Sequence, residues 1–257
     1  MCYDISFTIN VKQLSDYFPD LVFDDQIKFD FEKGAHILGH EYGLHPIIYK
    51  NSQDEMLHCK LMEWGCIPFY VQDLKGYAKQ RTGMLNARSE RILEDTKSYW
   101  YKIRNRRCLI PITGFYEHRK VTGHKKKVPY FIGLKNQPMF FLPGLYSVAK
   151  LPDEHGEVQE LWTFTLITRK ANSVMAQIHN DGENTQRMPL MLPLQLSMQW
   201  VKGELNEETY TTILGFEMPS EELNFHTVDT IRSRTARPDG KAKNEFLYWE
   251  KVPEIIL

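Results

Sequence analysis

The chain has 257 residues, 42% of them hydrophobic and 25% charged, the proportions of a water-soluble globular protein. No apolar run approaches the ~20 residues of a membrane span, and the polar start lacks the basic-then-apolar order of a secretory signal, so no membrane partner is expected. The formal net charge of −1 hides an asymmetry: residues 75–127 carry fifteen Lys/Arg against four Asp/Glu, a net of +11 against −12 for the remainder. That pattern reads as a basic binding face on an acidic body, or as charges scattered over solvated surfaces.

Cys2, Cys59, Cys66 and Cys108 form no CxxC pair. They read as reduced thiols of a cytoplasmic protein, not as a disulfide framework or a zinc ribbon. The chain opens Met1-Cys2-Tyr3-Asp4, and an initiator Met is removed when the next side chain is small. Cys2 would then carry a free amine (pKa ~7.7–8.0) beside its thiol (~8.5), both partly nucleophilic at neutral pH. A 1,2-aminothiol condenses with an aldehyde to an imine and closes through sulfur to a thiazolidine. It also serves as the nucleophile of an N-terminal hydrolase. At position 2 alone, an ordinary small residue before a strand is the plainer reading.

Tyr3, Ile5, Phe7 and Ile9 alternate with polar residues and predict a half-buried strand, with Cys2 on the polar face beside Asp4 and Ser6. Val11 to Phe18 predicts a short helix. His36 and His40 have an i,i+4 spacing that suits metal ligation, but Gly39, Gly43 and Pro46 break a helix there, and no metal is expected. Pro46–Tyr49 and Leu61–Cys66 predict strands, the second ending in a turn at Pro68. Trp64 is either a core aromatic or a base-stacking platform.

Leu85–Glu90 predicts a loop opening a helix capped by Ser89, with helix over 91–103 and the basic cluster Arg104-Asn105-Arg106-Arg107 after it. Cys108–Glu117 predicts a strand, a Gly turn at Gly114, and an exit carrying Tyr116 and Glu117. Glu117 is the lone acid between Asp95 and Asp153. It is either a paired surface charge or a general acid/base, since aromatic burial raises its pKa and nearby Arg lowers it. Val121–Lys127 reads as a hairpin loop, Pro129–Ile132 and Met139–Leu142 as a strand pair, and Pro143–Tyr146 as the next turn. Leu161–Thr168 predicts a strand, and Lys170–His179 a helix whose last residue, His179, either meets the helix dipole or carries protons. Arg187–Leu192 predicts a strand, Pro193–Trp200 and Asn206–Leu214 helices, and the tail from Arg232 on shows no core pattern until Phe246. Irregular order, with no nucleotide-binding loop, internal repeat or linker, favours one α+β domain over 1–257, built mainly on antiparallel strands in a compact barrel-like sheet with flanking helices.

Five features stand in a recognisable order: Met1-Cys2, Trp64-Gly65-Cys66-Ile67-Pro68, Asn86-Ala87-Arg88-Ser89-Glu90, Cys108-Leu109-Ile110-Pro111 with Gly114-Phe115-Tyr116-Glu117, and Ile178-His179 leading to Arg187-Met188-Pro189. The set resembles the SRAP family (SOS-response-associated peptidases) over about residues 2–230, leaving 231–257 as an extension. The resemblance implies a sensor and shield of abasic sites in single-stranded DNA, working as a cytoplasmic monomer that joins the nucleoid on DNA, without a cofactor. It implies Cys2 as the nucleophile that leaves a thiazolidine crosslink on the sugar aldehyde, Asn86 positioning amine and sugar, Glu117 as acid/base, and His179 assisting ring opening. Arg88 is implied to bind phosphate. Trp64 and Tyr116 are candidates for base stacking, and Arg106 and Arg107 for strand binding. Weak lyase activity through β-elimination and self-processing peptidase activity are also implied. The chain departs from the family's Met-Cys-Gly-Arg start: Tyr3 and Asp4 stand there, and Asp4 brings a charge of the wrong sign for DNA. Residues 180–186 form a longer insert than the family places after its His. Two other readings are an N-terminal-nucleophile thiol hydrolase acting on amides and a non-catalytic single-strand-binding module.

Overall fold

A computed structural model describes all residues except Met1, Phe29, Glu154, Arg234 and Pro238. Thirteen strands are described: β1 (Asp4–Phe7), β2 (Val22–Phe23), β3 (Gly34–Leu38), β4 (Leu44–Lys50), β5 (Leu57–Trp64), β6 (Asn86–Arg88), β7 (Arg107–Ile112), β8 (Gly114–Arg119), β9 (Val128–Leu134), β10 (Phe140–Pro152), β11 (Val158–Lys170), β12 (Arg187–Pro189) and β13 (Leu223–Thr227). Six helices, α1 (Leu74–Arg81), α2 (Ser89–Leu93), α3 (Tyr99–Lys102), α4 (Ser173–Ile178), α5 (Leu194–Lys202) and α6 (Glu207–Gly215), flank them. The architecture is α+β with mainly antiparallel pairing. No described helix is long and apolar enough to cross a membrane.

Five strands close on themselves. β5, β4, β7, β10 and β11 follow one another antiparallel, and a parallel pairing of Thr163 with Glu63 and Phe164 with Trp64 joins β11 back to β5. Trp64 lies in the core of this barrel, 1% exposed, stacked on Phe164 at 6.0 Å, with Nε1 donating to the Leu85 carbonyl at 2.9 Å. Closure demands close backbone approach. A Cβ on Gly144 would sit 2.5 Å from the Thr165 carbonyl oxygen and 2.8 Å from Ile110 Cδ1. Gly144 therefore belongs inside β10, and the turn expected at 143–146 is a strand.

The second sheet runs β13-β9-β8-β1-β3. The chain passes from barrel to sheet at Thr113, whose N–H donates to the Ser6 carbonyl at 2.8 Å. Gly114 permits this step, since a Cβ there would meet the Phe131 ring at 2.2 Å. The expected turn is thus a hop between sheets. β9 pairs with β8 and β13 while β10 pairs with β7 and β11, so the strand pair expected of 129–132 and 139–142 does not form. The loop 120–127 does close a hairpin, between β8 and β9.

β1 is covered on both faces. Asp4, Ile5, Ser6 and Phe7 are all 2% exposed or less, because β1 sits between β8 and β3 and packs on the barrel as well. The strand that alternation predicts to be half-buried is therefore fully buried. The helix expected over 91–103 is broken at 94–98 into α2 and α3, and Ser89 is the first residue of α2, with Arg88 at its N-cap making no side-chain cap bond.

Candidate active site

The site is assembled at the N-terminal end of β1, where sheet and barrel meet. Cys2 is fully buried, with Sγ 3.6 Å from the Asp4 carbonyl oxygen. Burial, then the negative fields of Glu117 and Asp4, push its thiol well above the ordinary range, so the resting sulfur is a protonated thiol. The other three cysteines are free and buried too, and burial pushes Cys66 up to about 12, which suits inert packing thiols. The retention or removal of Met1 lies outside the described residues.

Asn86 is carried to Cys2 by β6, which pairs parallel with β11 through Leu166 opposite Asn86. Its Nδ2 donates to the Cys2 carbonyl at 2.9 Å. Its Oδ1 is buried with no hydrogen-bond partner among the described residues. Glu117 comes from β8, hydrogen-bonded to β1 with Asp4 opposite Tyr116. One residue further along that register, Glu117 stands across from Tyr3. It is 6% exposed, and Oε1 likewise has no hydrogen-bond partner among the described residues. Burial, first of all, pushes its carboxyl up to about 8, so it is largely protonated at neutral pH.

His179 ends α4, which is capped at its start by Asn172 accepting from Met175 N–H and buries Val174, Met175 and Ile178. His179 Nδ1 lies 2.9 Å from the Arg187 carbonyl. The Arg187 N–H also points at Nδ1, at 3.4 Å, so the Arg187 backbone fixes the ring's orientation from both its carbonyl and its amide. Arg187 is itself fixed by two bonds to Glu90, at 2.5 and 3.0 Å, and one to the Thr168 carbonyl. Burial lowers the His179 pKa to about 4, so the ring is neutral at pH 7.

Glu117, His179, Tyr3 and Asp4 line one cleft of about 340 Å³, with loop 181–184 on its rim. A larger cleft, about 410 Å³ between Phe18, Lys50 and Met198, holds none of these groups. Arg88 is exposed and donates to Asn184 Oδ1 at 2.6 Å, which ties it to the loop on the cleft's rim. Lys120 and Lys127 bind Asp181 at 3.2 and 2.9 Å.

Four expected DNA-contacting residues are not brought to the cleft. Trp64 is barrel core. Tyr116 is 1% exposed, its hydroxyl donating to the Ala35 carbonyl. Neither presents a ring face for a base. Arg106 and Arg107 lie at the end of β7 away from Thr113, roughly 20 Å along the strand rise. There Arg107 binds Tyr210 and the Gly203 carbonyl. The basic segment is also partly consumed internally, with Arg81 on Glu63 and Arg104 on Glu207. It therefore does not make one continuous cationic face.

Sequence reasoning missed two neighbours of Asp4. His36 Nε2 lies 2.8 Å from Asp4 Oδ1, and Arg232 grips both carboxylate oxygens at 3.0 and 2.7 Å. Burial raises the Asp4 pKa, but the bonds from His36 and Arg232 outweigh it and hold the carboxyl below its usual range. A carboxylate on a strand buried on both faces is the signal that a cation must come to it. His36 and His40 make no metal site with their neighbours: among the described residues no group of three or more His/Cys/Asp/Glu could hold a metal ion.

The fold and the site define an α+β barrel protein that buries a cysteine of its N-terminal segment against an asparagine amide, in the field of a buried acid that shares a cleft with a neutral histidine. The sequence model of the SOS response associated peptidase (SRAP) family matches residues 1–232, and the chain belongs to that family. It is 30% identical to the abasic site processing protein YoqW of Bacillus subtilis over 171 residues, 66% of this chain and 69% of that one. It is 31% identical to YMR114C of Saccharomyces cerevisiae, an abasic site processing protein, over 133 residues, covering 52% of this chain and 31% of the yeast protein. The abasic site processing protein HMCES of Pongo abelii is 23% identical over 206 residues, with 69% of this chain and 54% of that protein covered. A crystal structure of a Bacteroides thetaiotaomicron protein shares the fold, with a TM-score of 0.73, 24% identity and coverage of 95% of this chain and 97% of that one.

Proposed function

We propose that this protein processes abasic sites in single-stranded DNA by joining them covalently to Cys2 as a thiazolidine, after Met1 is removed. The observation that carries the reading is the convergence on Cys2 of an amide hydrogen bond from Asn86 and the field of a buried Glu117.

The amine of Cys2 adds to C1′ of the open-chain sugar aldehyde, giving a carbinolamine. Loss of its hydroxyl as water needs a proton, and a carboxyl with a pKa near 8 is a ready donor at neutral pH. The resulting imine carbon is attacked by Sγ. The thiol is protonated, so its proton must leave as the C–S bond forms. Glu117, by then a carboxylate, or the neutral ring of His179 accepts it, and the imine nitrogen takes up a proton. One N–C bond and one C–S bond form, and one water is released. Asn86 holds the Cys2 carbonyl and so fixes the amine's position against the sugar. The same imine supports β-elimination, which would appear as weak strand cleavage.

A denaturing gel of protein lacking Met1 with a single-stranded oligonucleotide carrying one abasic site tests this. A heat-stable band requiring lesion and Cys2, with a mass equal to protein plus DNA less one water, is expected. No band from such protein sinks the proposal. Amide hydrolysis without aldehyde dependence would then favour a thiol hydrolase, and salt-sensitive binding without a covalent product would favour a binding module.

A further inference from the structure

One cation of the cleft has no part in the scheme above. Arg232 lies five residues past the end of β13, on the segment that leads into the C-terminal tail. That segment is tied back to the sheet: Val228 N–H donates to the Pro129 carbonyl at 3.0 Å and Trp249 Nε1 to the Val228 carbonyl at 2.9 Å. Arg232 lines the same cleft as Glu117 and His179, its side chain 49% exposed. Nε and Nη2 donate to the two oxygens of Asp4, which is itself only 2% exposed.

A guanidinium has five N–H donors in a planar fork. The fork on Asp4 uses two. Nη1 donates no hydrogen bond among the described residues, and it lies on the edge turned away from Asp4. The carboxylate, further held by His36 at 2.8 Å, is buried behind the guanidinium and immobilises it. What reaches the cleft is a pre-oriented donor edge whose side-chain entropy is already lost. Other cations on this rim are spoken for, Lys120 and Lys127 by Asp181 and Arg88 by Asn184. The chemistry complementary to a rigid guanidinium edge is a pair of anionic oxygens in one plane, as in a phosphodiester.

We infer that Arg232 is a phosphate-binding residue, clamped by Asp4 onto the phosphodiester beside the reacting sugar. This rests on the single-stranded DNA reading above. Asp4 acts through Arg232 as a positioning residue.

The test uses the full chain and an oligonucleotide carrying a tetrahydrofuran abasic analogue, which has no aldehyde and reports binding alone. One phosphate contact on a single strand contributes ~0.7 to the slope of log K against log salt. Arg232→Gln is expected to lower that slope by ~0.7, and Arg232→Lys to preserve it. A folded Arg232→Gln protein with the wild-type slope overturns the inference, because a merely structural role changes melting temperature and not salt slope. Where Arg232→Gln does not fold, neutral methylphosphonates placed singly at the linkages flanking the lesion decide with wild-type protein. Loss of affinity at one linkage supports the clamp, and indifference at both overturns it. Crosslinking of a natural abasic site by the same wild-type preparation separates this from the parent reading: crosslinking with an unchanged slope removes Arg232 alone, and a changed slope without crosslinking removes the thiazolidine chemistry alone.

Discussion

Asn86 and Cys2, 84 residues apart, are joined by a 2.9 Å hydrogen bond from Nδ2 to the Cys2 carbonyl. The amide's other end, Oδ1, is buried without a hydrogen-bond partner among the described residues, and a buried orphan acceptor costs ~1–3 kcal/mol. The fold retains this cost beside Cys2. An acceptor so placed would suit a terminal ammonium or amine at Cys2. Asn86→Ala is expected to slow crosslinking ~10–100-fold by loosening the amine's position, with little change in melting temperature. An unchanged single-turnover rate would remove Asn86 from the chemistry.

In the proposed crosslinking, Glu117 is expected to set the alkaline limb. With its pKa near 8, the crosslinking rate is expected to fall as pH rises through 8, and Glu117→Gln to be ~10²-fold slower or worse without that inflection. Stability is linked in the same direction. The folded carboxyl binds its proton more tightly than the unfolded one, so stability is lost as pH climbs from about 4.5 to 8 and is flat above. Glu117→Gln should flatten that slope in thermal melts taken across the window. A variant with the wild-type slope would show that Glu117 does not titrate there.

His179 has the opposite linkage. Its pKa is lowered from 6.5 to about 4, so between those values the unfolded chain binds the extra proton and stability rises with pH. His179→Gln should reduce the gain in melting temperature between about pH 4 and 6.5 and leave the region above about 7 unaffected. The imidazole C–H shifts in an NMR titration of the native protein should show no protonation step near 6.5 for this residue.

Asp4 controls acid stability. Its carboxyl is held below the usual range in the fold, so its contribution is present above about 3.8 and is lost as pH falls through the lower folded value. Asp4→Asn is expected to cost ~1–3 kcal/mol at neutral pH, less than a fully buried pair because Arg232 is half exposed. It should also shallow the acid limb of the melting curve. Equal denaturation midpoints for the two proteins at neutral pH would show the ion pair to be energetically idle.

Gly144 tests the barrel. Alanine would place Cβ 2.5 Å from the Thr165 carbonyl oxygen, and neither backbone can yield without opening the β10–β11 pairing. Gly144→Ala should cost ~1–3 kcal/mol or more, read as a lower urea midpoint. A tolerant protein would indicate that the packing of β10 against β11 and β7 is looser than the register implies.

Much of the site is legible in the amino-acid sequence. Residue type and order single out Cys2, Asn86, Glu117 and His179; Glu117 and His179 line one cleft, and Asn86 is hydrogen-bonded to the buried Cys2. The alternating strand at 3–9, the strands at 46–49 and 161–168, and the basic hairpin loop follow from periodicity and turn chemistry that neighbouring residues express locally. The failures share another origin. Gly144 resembles a turn residue because glycine's need for close approach is invisible until the facing strand is known. β9 and β10 resemble a pair because they are adjacent in sequence, whereas β9 bonds to β8 and β13 and β10 to β7 and β11, in different sheets. Trp64 and Tyr116 resemble open stacking faces because the aromatic character that suits a base also suits a core.

Sequence alone thus determined which chemical groups this protein owns and which short segments extend, coil or turn, since these depend on local backbone preference and hydrophobic period. Tertiary structure decided which groups meet. It buried Asp4, brought Arg232 to it across 228 positions, spent Arg104 and Arg107 on α6 and its approach, and raised Glu117 by desolvation. Each of these depends on strand register and barrel closure, long-range pairings whose free energy is set by three-dimensional packing and leaves no periodic trace in the chain.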